Sequence, residues 1–348
     1  MRLVRSMLQV RYYIDEHYTT LFSPETGFFA RVEDEGSPEP VWSRHGPELI
    51  DISITNWCDR GCPTCYRNST PRGPHMSLSD YESIMQQAAT MGVVQVALGG
   101  GNPNQHPAFR DILRLTRQQY GIVPSYATNG RGLQSGIIDA TVEFCGAVAV
   151  SAYRPYRETG TALSVLIKAG VRTNVHFVLD AESIRTALSW LRDPPNFLDG
   201  VNAIVFLSYK PVGRHHTHAV LARSHHLDEF FALIQEASAP FKLGFDSCMV
   251  SGLVSHTMLD PSFYDACEAA RFSMFVSESM RMYPCSFMEP IVEGIPIRGC
   301  NILEVWCHSR LFAEFRERLL ADRCPDCPHK KMCLGGCPMF AEVNLCQR

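Results

Sequence analysis

From Leu49 onward, short runs of β-branched and apolar residues alternate with longer stretches whose apolar positions recur every three to four residues. The runs are L-I-D-I-S-I-T (49–55), V-V-Q-V-A-L (93–98), V-P-S-Y-A-T (123–128), A-V-A-V-S (147–151), V-R-T-N-V-H-F-V (171–178) and A-I-V-F-L-S (203–208). Runs of this length read as buried strands, and the periodic stretches between them as amphipathic helices. The first helix is introduced by S-D-Y-E at Ser79 to Glu82, a capping-box pattern, and stops at Gly92. Others are predicted over about 107–120, 134–144, 158–169 and 181–192. Strand-then-helix units in series imply a parallel sheet with crossover helices. Six units fall short of the eight in a closed barrel. The expected fold class is therefore α/β, an open partial (β/α)6 barrel in preference to a flat doubly wound sheet. In both, chemistry collects at the C-terminal ends of the strands.

The flanks differ from this repeat. Residues 1–48 read as a small N-terminal element, with a hairpin predicted in T-T-L-F-S-P-E-T-G-F-F-A-R-V (19–32) and an exposed loop in E-D-E-G-S-P-E-P. The barrel is expected over 49–239, closing with a helix at about 227–238. From 240 to 348 the pattern becomes irregular and cysteine-rich, with one helix expected at 309–321.

Charge and hydropathy narrow the setting. A net charge of −4 leaves no basic field for nucleic acid. No uncharged apolar run of about 18 residues is present, so no transmembrane helix is expected, and the arginine-interrupted N-terminus lacks the apolar stretch of a signal peptide. A cytoplasmic location follows as the expectation. In that reducing setting the 14 cysteines are the anomaly, because they cluster. Three lie at 58–65 and five at 324–346, which points to metal ligation rather than to disulfides or scattered core thiols.

Cys58, Cys62 and Cys65 follow the first strand with the spacing C-x3-C-x2-C. Structural zinc needs four closed ligands, and the nearest further candidate, His75, is ten residues on. An iron–sulfur cube suits three thiolates better, since one iron is left open to a small chelating molecule.

This stretch resembles the signature of radical S-adenosylmethionine enzymes. The resemblance implies that the open iron binds the amino and carboxylate groups of S-adenosylmethionine, which is reductively cleaved to a 5′-deoxyadenosyl radical that takes a hydrogen atom from the substrate. L-G-G-G-N-P-N-Q-H-P (98–107) resembles the family's glycine-rich stretch after the second strand. Gly100 and Gly101 fit it; Asn102 stands where the family usually has glutamate. By the same resemblance, Asn129 in A-T-N-G, Ser151 at the end of the fourth strand and the backbone of Tyr66 are expected to contact the cofactor. Thr64 departs from the aromatic residue the family often has before its third cysteine. K-P-V-G-R (210–214) resembles the sixth-strand end of peptide-modifying members, and Arg214 is a candidate clamp for a substrate carboxylate or carbonyl.

The C-terminal cysteines, C-x2-C-x5-C-x3-C at Cys324, Cys327, Cys333 and Cys337, followed by Cys346, look like a SPASM extension. The resemblance implies two auxiliary [4Fe–4S] clusters beside the S-adenosylmethionine-binding one. Cys324, Cys327, Cys333 and Cys346 would hold one. Cys267, Cys285 and Cys337 would hold the other, with Cys248 the candidate fourth ligand and an iron open to substrate the alternative. Met280 replaces the glycine usual five positions before the second of these cysteines. Cys300 and Cys307 are competing candidates, and Cys145 reads as a core thiol. A zinc ribbon is the competing reading of the C-x2-C pair.

The main expectation is an enzyme that installs a carbon–carbon or thioether crosslink in a ribosomally made precursor peptide. Epimerisation, decarboxylation or oxidation of a peptide or small molecule is the alternative, and a non-catalytic iron–sulfur or zinc scaffold is the alternative of another class. Expected partners are the precursor peptide, a flavodoxin or ferredoxin as reductant, and a separate peptide-recognition protein where the barrel mouth does not serve. H-H-T-H (215–218) and His225-His226 read as solvated loop histidines, and Met274, Met280, Met282 and Met288 as packing. No acid–base pair stands out.

Overall fold

The computed structural model describes residues 8–37, 39–214, 220–236 and 239–346. The chain opens with a three-stranded antiparallel sheet of β1 (Gln9–Tyr13), β2 (Tyr18–Phe22) and β3 (Phe29–Glu33). The predicted hairpin is β2–β3, closed by the pair Phe22–Phe29; β1 is a strand that the pattern of the chain did not announce. Tyr18 and Phe22 turn their rings into the protein and are about 1% exposed.

Each of the six β-branched runs is a strand of one larger sheet. These are β4 (Leu49–Thr55), β5 (Gln95–Gly100), β6 (Val123–Thr128), β7 (Ala147–Ser151), β8 (Thr173–Leu179) and β9 (Ala203–Ser208), all parallel. Helices α1 (Leu78–Met91), α2 (Phe109–Arg114), α3 (Ser135–Phe144), α4 (Arg157–Lys168), α5 (Ile184–Arg192) and α6 (His225–Glu236) make the crossovers and the flank after β9. The cap of α1 is Ser77 rather than Ser79: its Oγ accepts from the amide of Asp80 at 3.1 Å, and Ser79 hydrogen-bonds Ser77. The predicted stop holds, with Gly92 in the left-handed region at φ 84°. After α2 the helix widens into a π turn over Leu115–Gln119, where the Thr116 hydroxyl bonds Ile112 O and Tyr81 Oη.

Alternation along β4 divides its side chains between two environments. Ile50, Ile52 and Ile54 are fully buried in the apolar layer with Tyr81, Ile84, Met85 and Ala88 of α1. Asp51, Ser53 and Thr55 lie on the opposite face, inside the curve of the sheet.

The sheet does not end with β9. β10 (Lys242–Phe245) adds to it in parallel. At the other edge β11 (Ser273–Val276) pairs in parallel with β4, and β12 (Arg281–Tyr283) and β13 (Ile295–Pro296) follow antiparallel. The strand order is β10-β9-β8-β7-β6-β5-β4-β11-β12-β13, a mixed sheet flanked by the cysteine-rich C-terminal extension. Met280 turns β11 into β12 with φ 60°, so the conformation glycine favours is kept without glycine. Helices α7 (Val250–His256), α8 (Ile302–His308), α9 (Arg310–Leu320) and α10 (Lys330–Cys333) complete the extension. α9 docks through Arg316, whose guanidinium sits 3.6 Å from the Trp42 ring centroid and 4.8 Å from that of Trp306. Among the described residues no helix is long and apolar enough to cross a membrane.

Candidate functional site

The loop after β4 carries Cys58, Cys62 and Cys65 at the C-terminal end of the sheet. It is anchored from several sides. Cys58 N donates to Thr70 O at 3.0 Å, and Cys65 N to Cys62 O at 3.3 Å. The end of β5 presses directly on its first residues: Gly101 N donates to Thr55 O at 2.7 Å and Asn102 N to Trp57 O at 2.9 Å. A Cβ on Gly100 would lie 2.0 Å from Thr55 O, and one on Gly101 2.0 Å from Trp57 O. Close approach of two backbones is thus what these glycines supply here.

Asn102 is fully buried and its amide is saturated. Oδ1 accepts from Thr128 Oγ1 at 3.0 Å and Asn129 N at 3.1 Å, while Nδ2 donates to Gln105 Oε1 at 2.7 Å and Arg131 O at 3.1 Å. The side chain staples the end of β5 to the end of β6. Asn129, held in this way, points its Nδ2 at Cys58 Sγ at 3.6 Å.

Two residues past Ser151, Tyr153 hydrogen-bonds the thiol of Cys62 and is itself bonded by the Ser151 side chain. Its ring lies 4.4 Å from the Arg60 guanidinium. Burial pushes the Cys62 thiol above its ordinary value, opposed by Tyr153 and Arg60. Tyr153 was not anticipated, although its i+2 spacing from Ser151 was available as a signal.

Arg214 faces the cysteine loop and not an open mouth. Nη1 donates to Cys62 O at 3.1 Å, its backbone N to Cys65 O at 2.9 Å, and Nη2 to Ser69 O. Gly213 makes this possible, because a Cβ there would stand 2.3 Å from Tyr66 O and 2.4 Å from Cys65 O. The Tyr66 ring packs on Phe287 at 4.8 Å. Beneath the loop, Arg67 is buried against Glu278 and Glu289, and its Nη2 also donates to Ser53 Oγ at 3.1 Å.

Cys248, Cys267 and Cys285 line one cavity of about 760 Å³ between β4, β10 and β11. Cys337 reaches it by sharing a hydrogen bond with Cys248, which holds Cys248 above and Cys337 below the ordinary thiol range. Burial pushes Cys267 up to about 12 and Cys285 higher still. Lys210, 3% exposed, sits beside this group: its Nζ pairs with Asp246, bonds Cys248 and lies 4.7 Å from the Phe287 ring centroid. The four cysteines named for one set by the sequence are therefore brought together.

Of the second set, Cys333 has Cys324 and Cys346 as electrostatic neighbours, and Cys327 closes a turn onto Cys324 O at 3.1 Å. Arg223 Nη2 holds Cys346 O at 2.7 Å. Cys300 and Cys307 bond carbonyls elsewhere, of Pro296 at 3.6 Å and Arg44 at 3.4 Å. Cys145 packs against the main core. His215, His216 and His218 lie outside the described residues, whereas His225 and His226 open α6 instead of forming a loop. Met274, Met280, Met282 and Met288 are core residues, each 3% exposed or less.

Among the described residues no three His, Cys, Asp or Glu side chains converge as ligands of a single ion. A cube fits the loop on other grounds, since its irons stand apart and its sulfurs accept hydrogen bonds. Asn129 and Tyr153 aim such donors at two of the three loop thiols.

Residues 52–188 match the model of the Radical SAM superfamily. With its parallel sheet, three-cysteine loop and cysteine-rich extension, the chain has a radical-SAM-type fold with a C-terminal extension of the SPASM type. Among its relatives is the PqqA peptide cyclase of Gluconobacter oxydans, 22% identical over 320 residues that span 84% of this chain and 85% of that one. Streptococcus suis SuiB bound to precursor peptide SuiA has the same fold, with a TM-score of 0.72, 14% identity and coverage of 100% and 99%. SuiB bound to S-adenosylmethionine gives a TM-score of 0.66 at 17% identity, covering 87% of this chain and 77% of that one.

Proposed function

We propose that the chain crosslinks a ribosomally made precursor peptide, using S-adenosylmethionine at a [4Fe–4S] cluster on Cys58, Cys62 and Cys65. The observation that carries this reading is the three-cysteine loop braced by Gly100, Gly101 and Arg214 in a fold shared with SuiB, of which one structure holds S-adenosylmethionine and another a precursor peptide.

When bound, the cluster and S-adenosylmethionine supply the hydrogen-abstracting radical, and a low-potential flavodoxin or ferredoxin supplies the electron. The chain's own residues do the rest. Arg214 fixes the carbonyls of Cys62 and Ser69, which sets the directions of the loop thiols. Asn129 and Tyr153 donate to Cys58 and Cys62, and so draw electron density from the ligand sulfurs. The Gly100 and Gly101 backbone and Ser151 border the loop, where S-adenosylmethionine would lie. Cys248, Cys267, Cys285 and Cys337 would hold one auxiliary cluster, with Lys210 as a fixed positive charge beside it. Cys324, Cys327, Cys333 and Cys346 would hold the other.

Anaerobically purified protein should carry about twelve irons in three four-iron cubes and release 5′-deoxyadenosine once reduced. Replacing Cys58, Cys62 and Cys65 by alanine should abolish cleavage and leave about eight irons; Cys248→Ala should lose auxiliary iron and keep cleavage. Co-expression with a short neighbouring reading frame should give a peptide lighter by two hydrogens. Zinc without iron, or a peptide of unchanged mass, would refute the cluster and crosslink readings respectively.

A further inference from the structure

We propose that Lys210 tunes the auxiliary centre on Cys248, Cys267, Cys285 and Cys337: its buried positive charge, acting chiefly through Cys248, raises the potential of that centre and suits it to accept an electron. The proposal rests on the crosslinking reading above and names the residue that fits the centre to it.

K-P-V-G-R (210–214) follows β9 and touches both neighbouring cysteine sets. Arg214 at its end holds the Cys62–Cys65 loop, while Lys210 at its start faces the other set. The Lys210 side chain is 1% exposed. Three groups close around its ammonium. Asp246 pairs with it, the Phe287 ring centroid lies 4.7 Å away, and the Cys248 sulfur shares a hydrogen bond with it. Taking an ammonium out of water is costly, and here Asp246 and the Cys248 sulfur offset that cost.

Asp246 does not cancel this charge at the thiols. Its carboxylate also accepts from Ser208 N at 3.0 Å and Ser208 Oγ at 3.3 Å, which spreads its negative charge over further donors. At Cys248 both charges are felt, and Lys210 is the stronger. At Cys267 and Cys285 Lys210 is again an electrostatic neighbour, and Asp246 is not a principal one. One cation thus reaches three of the four cysteines.

The sign follows from elementary electrostatics. Reduction adds negative charge to the centre, and a fixed cation nearby stabilises that state. A hydrogen bond to a ligand sulfur acts in the same direction by drawing electron density from it. Lys210 does both with one atom, in surroundings where a charge is little screened. Of the two hydrogens a crosslinked peptide loses, one leaves as an atom on 5′-deoxyadenosine. The other leaves as a proton to solvent and an electron, for which the auxiliary [4Fe–4S] centre is the acceptor.

The test is a redox titration followed by electron paramagnetic resonance. It uses the full chain, anaerobically reconstituted, with Cys58, Cys62 and Cys65 replaced by alanine so that only auxiliary signals remain. Lys210→Met should make one auxiliary centre about tenfold or more harder to reduce, about 59 mV for a one-electron couple, and leave the other unchanged. Lys210→Arg keeps the charge and should stay within about twofold of the parent. Lys210→Met with Asp246→Asn removes both charges, avoids a lone buried carboxylate where the single variant folds poorly, and should fall between the two. An unchanged potential in Lys210→Met or in the double variant, at full iron content, overturns the proposal. So does an equal fall in Lys210→Arg, which would assign the effect to shape and not to charge. Enzyme that removes two hydrogens from its peptide but shows no shift in these variants defeats this proposal alone. Shifted potentials in an enzyme whose peptide keeps its mass defeat the crosslinking reading alone.

Discussion

Arg214 Nη1 donates to Cys62 O at 3.1 Å, tying two residues 152 positions apart. With the bonds to Ser69 O and from Arg214 N to Cys65 O, one residue after β9 fixes most of the cysteine loop. Arg214→Ala should destabilise the protein by about 2 kcal/mol, as removal of charge-assisted bonds to carbonyls does. It should also lower the iron retained on Cys58, Cys62 and Cys65. Arg214→Lys keeps the charge without the fork and should recover only part of both. Thermal unfolding and iron analysis of the two variants check this; an alanine variant that melts and loads like wild type contradicts it.

Asn102 occupies a place where the family usually has glutamate, which makes Asn102→Glu an informative substitution. The site is fully closed and all four hydrogen-bonding positions of the amide are used. A longer, charged side chain should cost about 3 kcal/mol or more and lower cleavage of S-adenosylmethionine. Asn102→Asp keeps the acceptor for Thr128 and Asn129 and should be milder, by about 1–3 kcal/mol. Denaturant melts give the comparison. Higher activity in Asn102→Glu would show that the staple can be exchanged for a cofactor contact.

Tyr153→Phe removes a hydrogen bond to Cys62 and leaves the ring against Arg60. A thiolate that loses a donor is a stronger electron donor to iron, so the midpoint potential of this cluster should become more negative. A redox titration followed by electron paramagnetic resonance measures it directly. An unchanged potential would mean that the bond is lost when the cluster is bound.

His176 on β8 is half-buried inside the sheet's curve, and desolvation lowers its value to about 4, with Asp246 opposing. The unfolded chain takes up this proton near pH 6.5, whereas the folded protein resists until about pH 4. Stability present above about pH 6.5 should therefore be lost progressively as pH falls to about 4, by about 3 kcal/mol in total. His176→Asn should flatten the dependence across that window. Urea melts across the range test it, and equal slopes in the two proteins would show that other groups carry the effect.

Much of the fold was legible because β-branched runs are long enough to reveal themselves. β4, β6, β7 and β9 begin and end at the residues the pattern marks. β10 and β11 were not, since K-L-G-F and S-M-F-V are four residues each, too short to show a period. Ser77 and Ser79 both suit a cap, and only the backbone geometry separates them. The cysteine sets were readable from their spacing. Their supports were not: Arg214, Lys210 and Tyr153 reach the cysteines through tertiary packing, and a single chain carries no local mark of such contacts. Asn102 shows the converse, a residue singled out by its position whose side chain serves the scaffold.

The pairing of β4 with β11, Leu49 opposite Ser273, has a consequence for biosynthesis. β4 leaves the ribosome early, yet the strand that covers its second edge is made only after all the other parallel strands of the sheet. Until then the nascent barrel has an open flank with the sequence I-D-I-S-I, rich in isoleucine and prone to pairing with other chains. A chain cut short before residue 273 inherits that flank permanently, so early termination should yield aggregates in place of a free barrel.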